Sequence, residues 1–164
     1  MGLLSLSMFL CQGALYMALK SEGDLKTRMQ GFAKGAWLAW ILLFAEGGLA
    51  TFFLIPERME GLLGNPAFWG VTLLLALSLP AVVLFNGKRP LAAFLASSLA
   101  IISQIALVGV SIFPSLVTAS NDPSLSLTVA TASASEGSLW TMFVIALIGM
   151  PLVLGYSFFI YRIF

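Results

Sequence analysis

The chain contains no histidine and a single cysteine, Cys11, and only 9% of its 164 residues are charged. Without histidine it lacks the commonest haem and metal ligand and the usual general base near neutral pH. One cysteine forms no internal disulfide. A net charge of +1 provides no basic field for nucleic acid, which is excluded as a partner. No glycine-rich phosphate loop, catalytic triad or pair of carboxylates can be assembled, so no catalytic, cofactor-binding or metal-ligating residue is assigned. The seven methionines are read as apolar filler rather than as haem ligands.

What is present is apolar. Hydrophobic residues make up 60% of the chain, and a soluble fold of this size would leave much of that surface in water, whereas lipid tails solvate it. Five segments are long and apolar enough to cross a bilayer: Gly2–Leu19, Gly35–Ile55, Phe68–Phe85, Leu91–Phe113 and Leu139–Ile160. The first has no basic residue before it and its first positive charge, Lys20, after it, so it is a retained helix rather than a signal peptide. The expected fold is an all-α integral membrane protein without internal repeats.

Charge sets the orientation. Lys20, Lys26, Arg28 and Lys34 lie between the first two spans, Lys88 and Arg89 between the third and fourth, and Arg162 at the end of the fifth. Only Arg58 falls on the other side, so strict alternation segregates seven of the eight basic residues. By the positive-inside rule the N-terminus is outside and the C-terminus cytoplasmic. Trp37 and Trp40 are expected near one interface, Trp69 and Trp140 near the other. An outside N-terminus with no charge to hold it is natural if helices precede Met1, which suggests a fragment or a split gene product.

The polar residues inside these spans are few. Glu46 is the one acid within a span, about eleven residues from either end of the second, where an ionised carboxylate costs several kcal/mol unless paired or hydrated. Two readings are open: a proton or water pathway, or a buried glutamate satisfied by Gln104 or a partner subunit, with Gly47 and Gly48 admitting a close helix. Gln104, Ser97, Ser98 and Ser103 form a polar stripe on the fourth span, read as interhelical hydrogen bonding. Glu46, Gln104 and Ser103 are thus the candidate intramembrane polar residues. Ala93, Ala96, Ala100 and Ser103 form a small-residue face for close helix approach. Cys11 and Gln12 are read as packing residues, and Pro80 and Pro151 as kink sites. Glu22, Asp24, Lys26 and Arg28 read as a solvated turn. The Pro114–Ser138 segment, with Leu125, Leu127 and Val129 alternating, reads as an ordered outer cap.

Two stretches carry a resemblance. Gln12–Gly13–Ala14–Leu15–Tyr16, running into Leu19–Lys20–Ser21–Glu22–Gly23–Asp24–Leu25, is similar to the QGA-x-Y…LK-T-EG-x-L pattern of subunit II of cytochrome bd quinol oxidases. Phe113–Pro114–Ser115–Leu116–Val117, Asp122–Pro123, Ser126–Leu127–Thr128, Ile145–Ala146–Leu147–Ile148, Pro151–Leu152–Val153–Leu154, Tyr156 and Tyr161–Arg162–Ile163–Phe164 resemble that family's last loop and last helix. Thr118 stands where the family has proline, Thr131 where asparagine is common, and Glu46 matches nothing in its pattern. The resemblance implies the last five of eight helices: residues 1–19 as the last helix of a preceding bundle, and residues 20–164 as a C-terminal four-helix bundle. It further implies a haem-free subunit of a quinol:oxygen oxidoreductase in a bacterial inner membrane. Haems b and d would then reside in the partner, subunit I, and a separate chain could supply the missing helices. From the residues alone, the alternative is a small transporter or half-permease with a midplane carboxylate and proline-broken helices.

The basic asymmetry generates a prediction. A reporter fused after Phe164 should read cytoplasmic, and one inserted between Ser120 and Ser135 should read external. An external C-terminal signal would overturn both the orientation and the count of spans.

Overall fold

The structure, a computed structural model, describes residues 2–54, 61–117 and 126–163. The expectations for Arg58, Leu125 and the Asp122–Pro123 pair lie outside them. Five long helices form where the apolar runs are: α1 (Gly2–Lys20), α2 (Gly23–Leu54), α3 (Pro66–Phe85), α4 (Pro90–Ile112) and α5 (Glu136–Ile163). All five are long and apolar enough to cross a membrane. The protein is therefore an all-α, multi-pass membrane protein. A short antiparallel pairing of β1 (Ser115–Val117) with β2 (Leu127–Thr128) is the only sheet among the described residues.

Local chemistry sets the helix ends. Asn65 caps α3 by accepting from the Ala67 amide at 2.9 Å, and Pro66 opens the helix where no amide donor is needed. At the other end Asn86 returns its amide to the Val82 carbonyl, and Gly87, at φ +106°, turns the chain into α4. Pro80 and Pro151 both sit within continuous helices.

The α1–α2 connection differs from expectation. The charged stretch read as a solvated turn is the start of α2, which begins at Gly23 and runs 32 residues. At ~1.5 Å per residue it is about 48 Å long, against a hydrocarbon core of about 30 Å. Its first turns, bearing Asp24, Lys26 and Arg28, therefore extend α2 on the basic side, and only Ser21 and Glu22 lie outside helix. The helical pattern continues through these residues because lysine, arginine, methionine and glutamine are good helix formers, and Asp24 is favourably placed in the first turn.

Residues 1–112 form one compact unit and residues 113–164 a second. The boundary expected after Leu19 is not where this chain divides, because α1 packs against both α2 and α4. In the first unit α1 approaches α2 closely and α3 approaches α4 closely, as short connections dictate for neighbouring helices. The α1–α4 contact is built on small residues: Cys11, Ala93 and Ala100 are fully buried, and Ala14 and Ser103 nearly so. The small-residue face read in the sequence is thus the face α4 buries. In the second unit, the Val129 amide also reaches the Pro114 carbonyl at 3.0 Å, extending the strand pairing as the expected ordered segment before α5.

Two tryptophans bridge α2 to the α3–α4 pair. Trp37 donates Nε1–H to the Leu79 carbonyl at 2.8 Å, using the second lone pair of a helical oxygen. Trp40, fully buried, donates to Gln104 Oε1 at 2.7 Å. The sequence placed both indoles at an interface; the structure places them in the packed interior, where each N–H must find an acceptor on another helix.

The Trp40–Gln104 bond should behave as a coupled pair. W40F leaves a buried amide oxygen without its donor and Q104L a buried indole N–H without its acceptor, each costing roughly 1–3 kcal/mol. The W40F/Q104L double variant should be no less stable than the worse single one, with a coupling of about 0.6–1.7 kcal/mol, the range for polar pairs in membranes. Unfolding midpoints in mild detergent measure all four corners, and strict additivity would show that the bond carries nothing.

Candidate functional site

The interior of the first unit is apolar apart from two hydrogen-bonded groups. One joins α1 to α4. Gln12 Nε2 donates to Ser98 Oγ at 2.8 Å, and Ser97 Oγ donates to Gln12 Oε1. Ser98 Oγ in turn donates to the Phe94 carbonyl at 3.0 Å. A single amide thus grips two adjacent hydroxyls. One turn from Gln12, Tyr16 lays its ring against Phe94, with centroids 5.9 Å apart. Residues Gln12–Tyr16 therefore form much of the α1 surface that meets α4, with Leu15 and Ala14 buried between the polar contacts. The second group is Trp40 with Gln104, beside which Ser103 is buried at 3% exposure.

These contacts also give the helix register. Asn86 Nδ2 donates to the Gln30 carbonyl at 3.0 Å, and Trp37 donates to the Leu79 carbonyl. In both pairs the residue numbers sum to 116, as expected for two antiparallel helices in one register. The centre of α3, between residues 75 and 76, then lies level with residues 40 and 41 of α2. The midplane of the bundle is therefore the level of Trp40 and Gln104.

Glu46 does not lie there. The same register sets it level with Gly70, within the first turns of α3 and about 9 Å along the axis from Trp40. The apolar run of the second span misplaced the midplane, because α2 starts well before that run and its pairing with α3, not its own length, fixes its height. Glu46 is also exposed on the surface of α2, and no described residue bonds it. Gln104, proposed from the sequence as its partner, is engaged by Trp40 instead. A Cβ added at Gly47 or Gly48 would meet nothing within 4 Å, so no helix of this chain uses the close approach they permit.

Of the three candidate residues, then, Gln104 and Ser103 come together in the interior, and Glu46 stands apart. The stripe of Ser97, Ser98 and Gln104 serves interhelical hydrogen bonding, as its spacing suggested. Gln12 was read as a packing residue and is instead the centre of the α1–α4 link. The signal that would have found it is its helix position: an amide among apolar neighbours has to be satisfied by whichever helix it faces. Cys11 is a packing residue, fully buried. Among the described residues no three side chains of the metal-ligating types come together.

The hydrogen bonds of the interior thus hold helices together and leave little free polar chemistry. A model of the family described as cytochrome bd terminal oxidase subunit II matches residues 1–164. The chain is 24% identical to the cytochrome bd-I ubiquinol oxidase subunit 2 of Escherichia coli strain K12, over 95% of this chain and 48% of that protein. The proteins of the same name from Escherichia coli O6:H1 and O157:H7 match with the same identity and coverage. The chain spans about half the length of these curated relatives. With a family match along its whole length, five apolar helices and a polar interior given over to holding them together, the chain belongs to the cytochrome bd terminal oxidase subunit II family.

Proposed function

We propose that this chain is a haem-free subunit, or part of one, in a membrane quinol:oxygen oxidoreductase, and that it scaffolds the haem-bearing subunit I. The observation that carries the proposal is the family match over all 164 residues. Two features of the chain support the division of labour. It contains no histidine to ligate a haem iron. Its interior amides, hydroxyls and indoles are committed to one another across helices, which suits a rigid support more than a reaction centre. Haems b and d, in this reading, are held by the residues of the partner. The chain sits in a bacterial inner membrane with Lys20, Lys88, Arg89 and Arg162 on the cytoplasmic side. Residues 1–19 correspond to the last helix of a preceding bundle, completed by further helices in the same or another polypeptide. The transporter reading loses its motivating feature once Glu46 is off the midplane.

Glu46 belongs to this reading as a contact residue. An exposed carboxylate within the apolar part of α2 costs free energy against lipid, and the open face at Gly47 and Gly48 gives another polypeptide room to bring a donor to it.

Two measurements test the proposal. Purified from membranes under mild conditions, the chain should bring down a haem-bearing membrane protein, whereas the separated chain should carry no stoichiometric haem by absorbance. One haem per isolated chain would sink the scaffold reading, and solute uptake by the chain alone would favour the transporter. The E46Q variant should leave the stability of the isolated chain within about 0.5 kcal/mol, as for a surface change, yet lower recovery of the partner. Full recovery with slower turnover would assign Glu46 to a proton path instead.

A further inference from the structure

The α1–α2 pair carries a groove that the scaffold role does not use. It has a volume of about 230 Å³ and runs between Phe9, Gly13 and Met17 on α1 and Met29 and Phe32 on α2. No side chain lining it is polar, so it is unsuited to ordered water, which needs two to four polar partners. Its floor is open because Gly13 has no side chain, and a Cβ there would meet nothing within 4 Å. From Phe9 to Met17 it extends about 12 Å along the helix axis, which fits within one leaflet of a hydrocarbon core about 30 Å thick.

The basic end of this groove is flanked by two cations, one on each wall. Lys20 follows Met17 by three residues and Gly13 by seven, so it continues the same face of α1. Helical side chains lean toward the N-terminus, which inclines Lys20 back over the groove. Arg28 precedes Phe32 by four residues, one turn nearer the basic end on α2. Both are exposed, and neither bonds or pairs with a described residue. Lys26 is turned roughly 90° from the groove around α2, and Asp24 roughly 110°. Neither of them neutralises or reinforces the pair directly.

We propose that this groove binds one anionic phospholipid. An acyl chain lies along Phe9, Gly13 and Met17, and the phosphate is held between Lys20 and Arg28. The charge selects the occupant: an uncharged lipid or an apolar helix would fill the groove equally well but would leave two cations at its mouth unused. An apolar slot ending in cations on both sides matches a molecule that is apolar for most of its length and negative at one end. The inference needs only the membrane-spanning fold, so it stands or falls independently of the oxidase assignment.

The test uses the full chain in its expression membranes, with whatever partners accompany it, and two photoactivatable probes. Phosphatidylglycerol and phosphatidylcholine carry the same diazirine midway along one acyl chain. Phosphatidylglycerol should label the peptides containing Phe9–Met17 and Met29–Phe32 with a roughly tenfold preference, the size expected for two basic residues at a membrane surface. The K20Q/R28Q variant should bring the ratio to about one, while K20R/R28K should keep it, since like the wild type it retains both charges. K26Q, which removes a charge turned away from the groove, should leave the ratio unchanged. Equal labelling by the two lipids, or a preference that survives K20Q/R28Q, would overturn the proposal. So would an absence of lipid labelling at these peptides together with crosslinks from them to another protein, because the groove would then be a helix-docking surface.

Discussion

In the hydrocarbon core of a bilayer a side-chain amide has no water to bond, so each buried glutamine must be satisfied by a neighbouring helix. The arrangement of the first four helices follows from two such residues. Gln104 on α4 is met by the indole of Trp40 on α2, and Gln12 on α1 by the hydroxyls of Ser97 and Ser98 on α4. Apolar contact alone would not choose these partners, because lipid tails are as apolar as leucine and offer no preference between one helix and another. Dispersion between small residues lets α1 and α4 come close, and the hydrogen bonds decide at what height and rotation they do so.

That constraint explains why the helices differ in how they pair. Where α1 meets α4 the residues are small, namely Cys11, Ala14, Ala93 and Ala100, and the amide–hydroxyl link spans a short gap. Where α2 meets α3 and α4 the gap is bridged by tryptophans, whose length carries an N–H across to Leu79 and Gln104. A tryptophan on α2 thus performs over a longer distance what a serine performs on α4. Both routes spend the polar atoms of the interior on holding the helices together. A subunit whose role is to support a redox partner benefits from that outcome, since a rigid interior with its polar groups paired offers no competing site for proton or metal chemistry. The chemistry left unspent lies at the periphery: Glu46 on the open side of α2, and the Lys20–Arg28 pair at the end of the α1–α2 groove.

Much of this was legible before any coordinates. Long apolar runs located the five helices, because a bilayer demands about twenty apolar residues per crossing and little else does. Alanines three and four residues apart identified the buried face of α4, since helical periodicity puts them on one side. Family membership was legible as well, through the Gln12–Tyr16 stretch and the last loop and helix. The strands were only partly so: Leu127 alternates as a strand should, but its pairing with Val117 lies across a stretch that local pattern cannot bridge.

By itself the sequence determined that the protein is membrane-spanning, how many helices it has and which side of α4 is buried, because each follows from composition and period along one segment. Tertiary structure alone decided which polar groups meet. Glu46 was placed at the midplane by counting along its own apolar run, and Gln104 was offered as its partner because both are polar and intramembrane. Height in a bundle is relative, however, and is set by contacts between helices: Asn86 to Gln30 and Trp37 to Leu79 fix α2 against α3, lifting Glu46 to the level of Gly70 and leaving Trp40 opposite Gln104. The same holds for Gln12, whose role depends on facing two serines more than eighty residues away. Periodicity shows which side of a helix a residue occupies, but the partner on the other side of the gap exists only once the helices are packed.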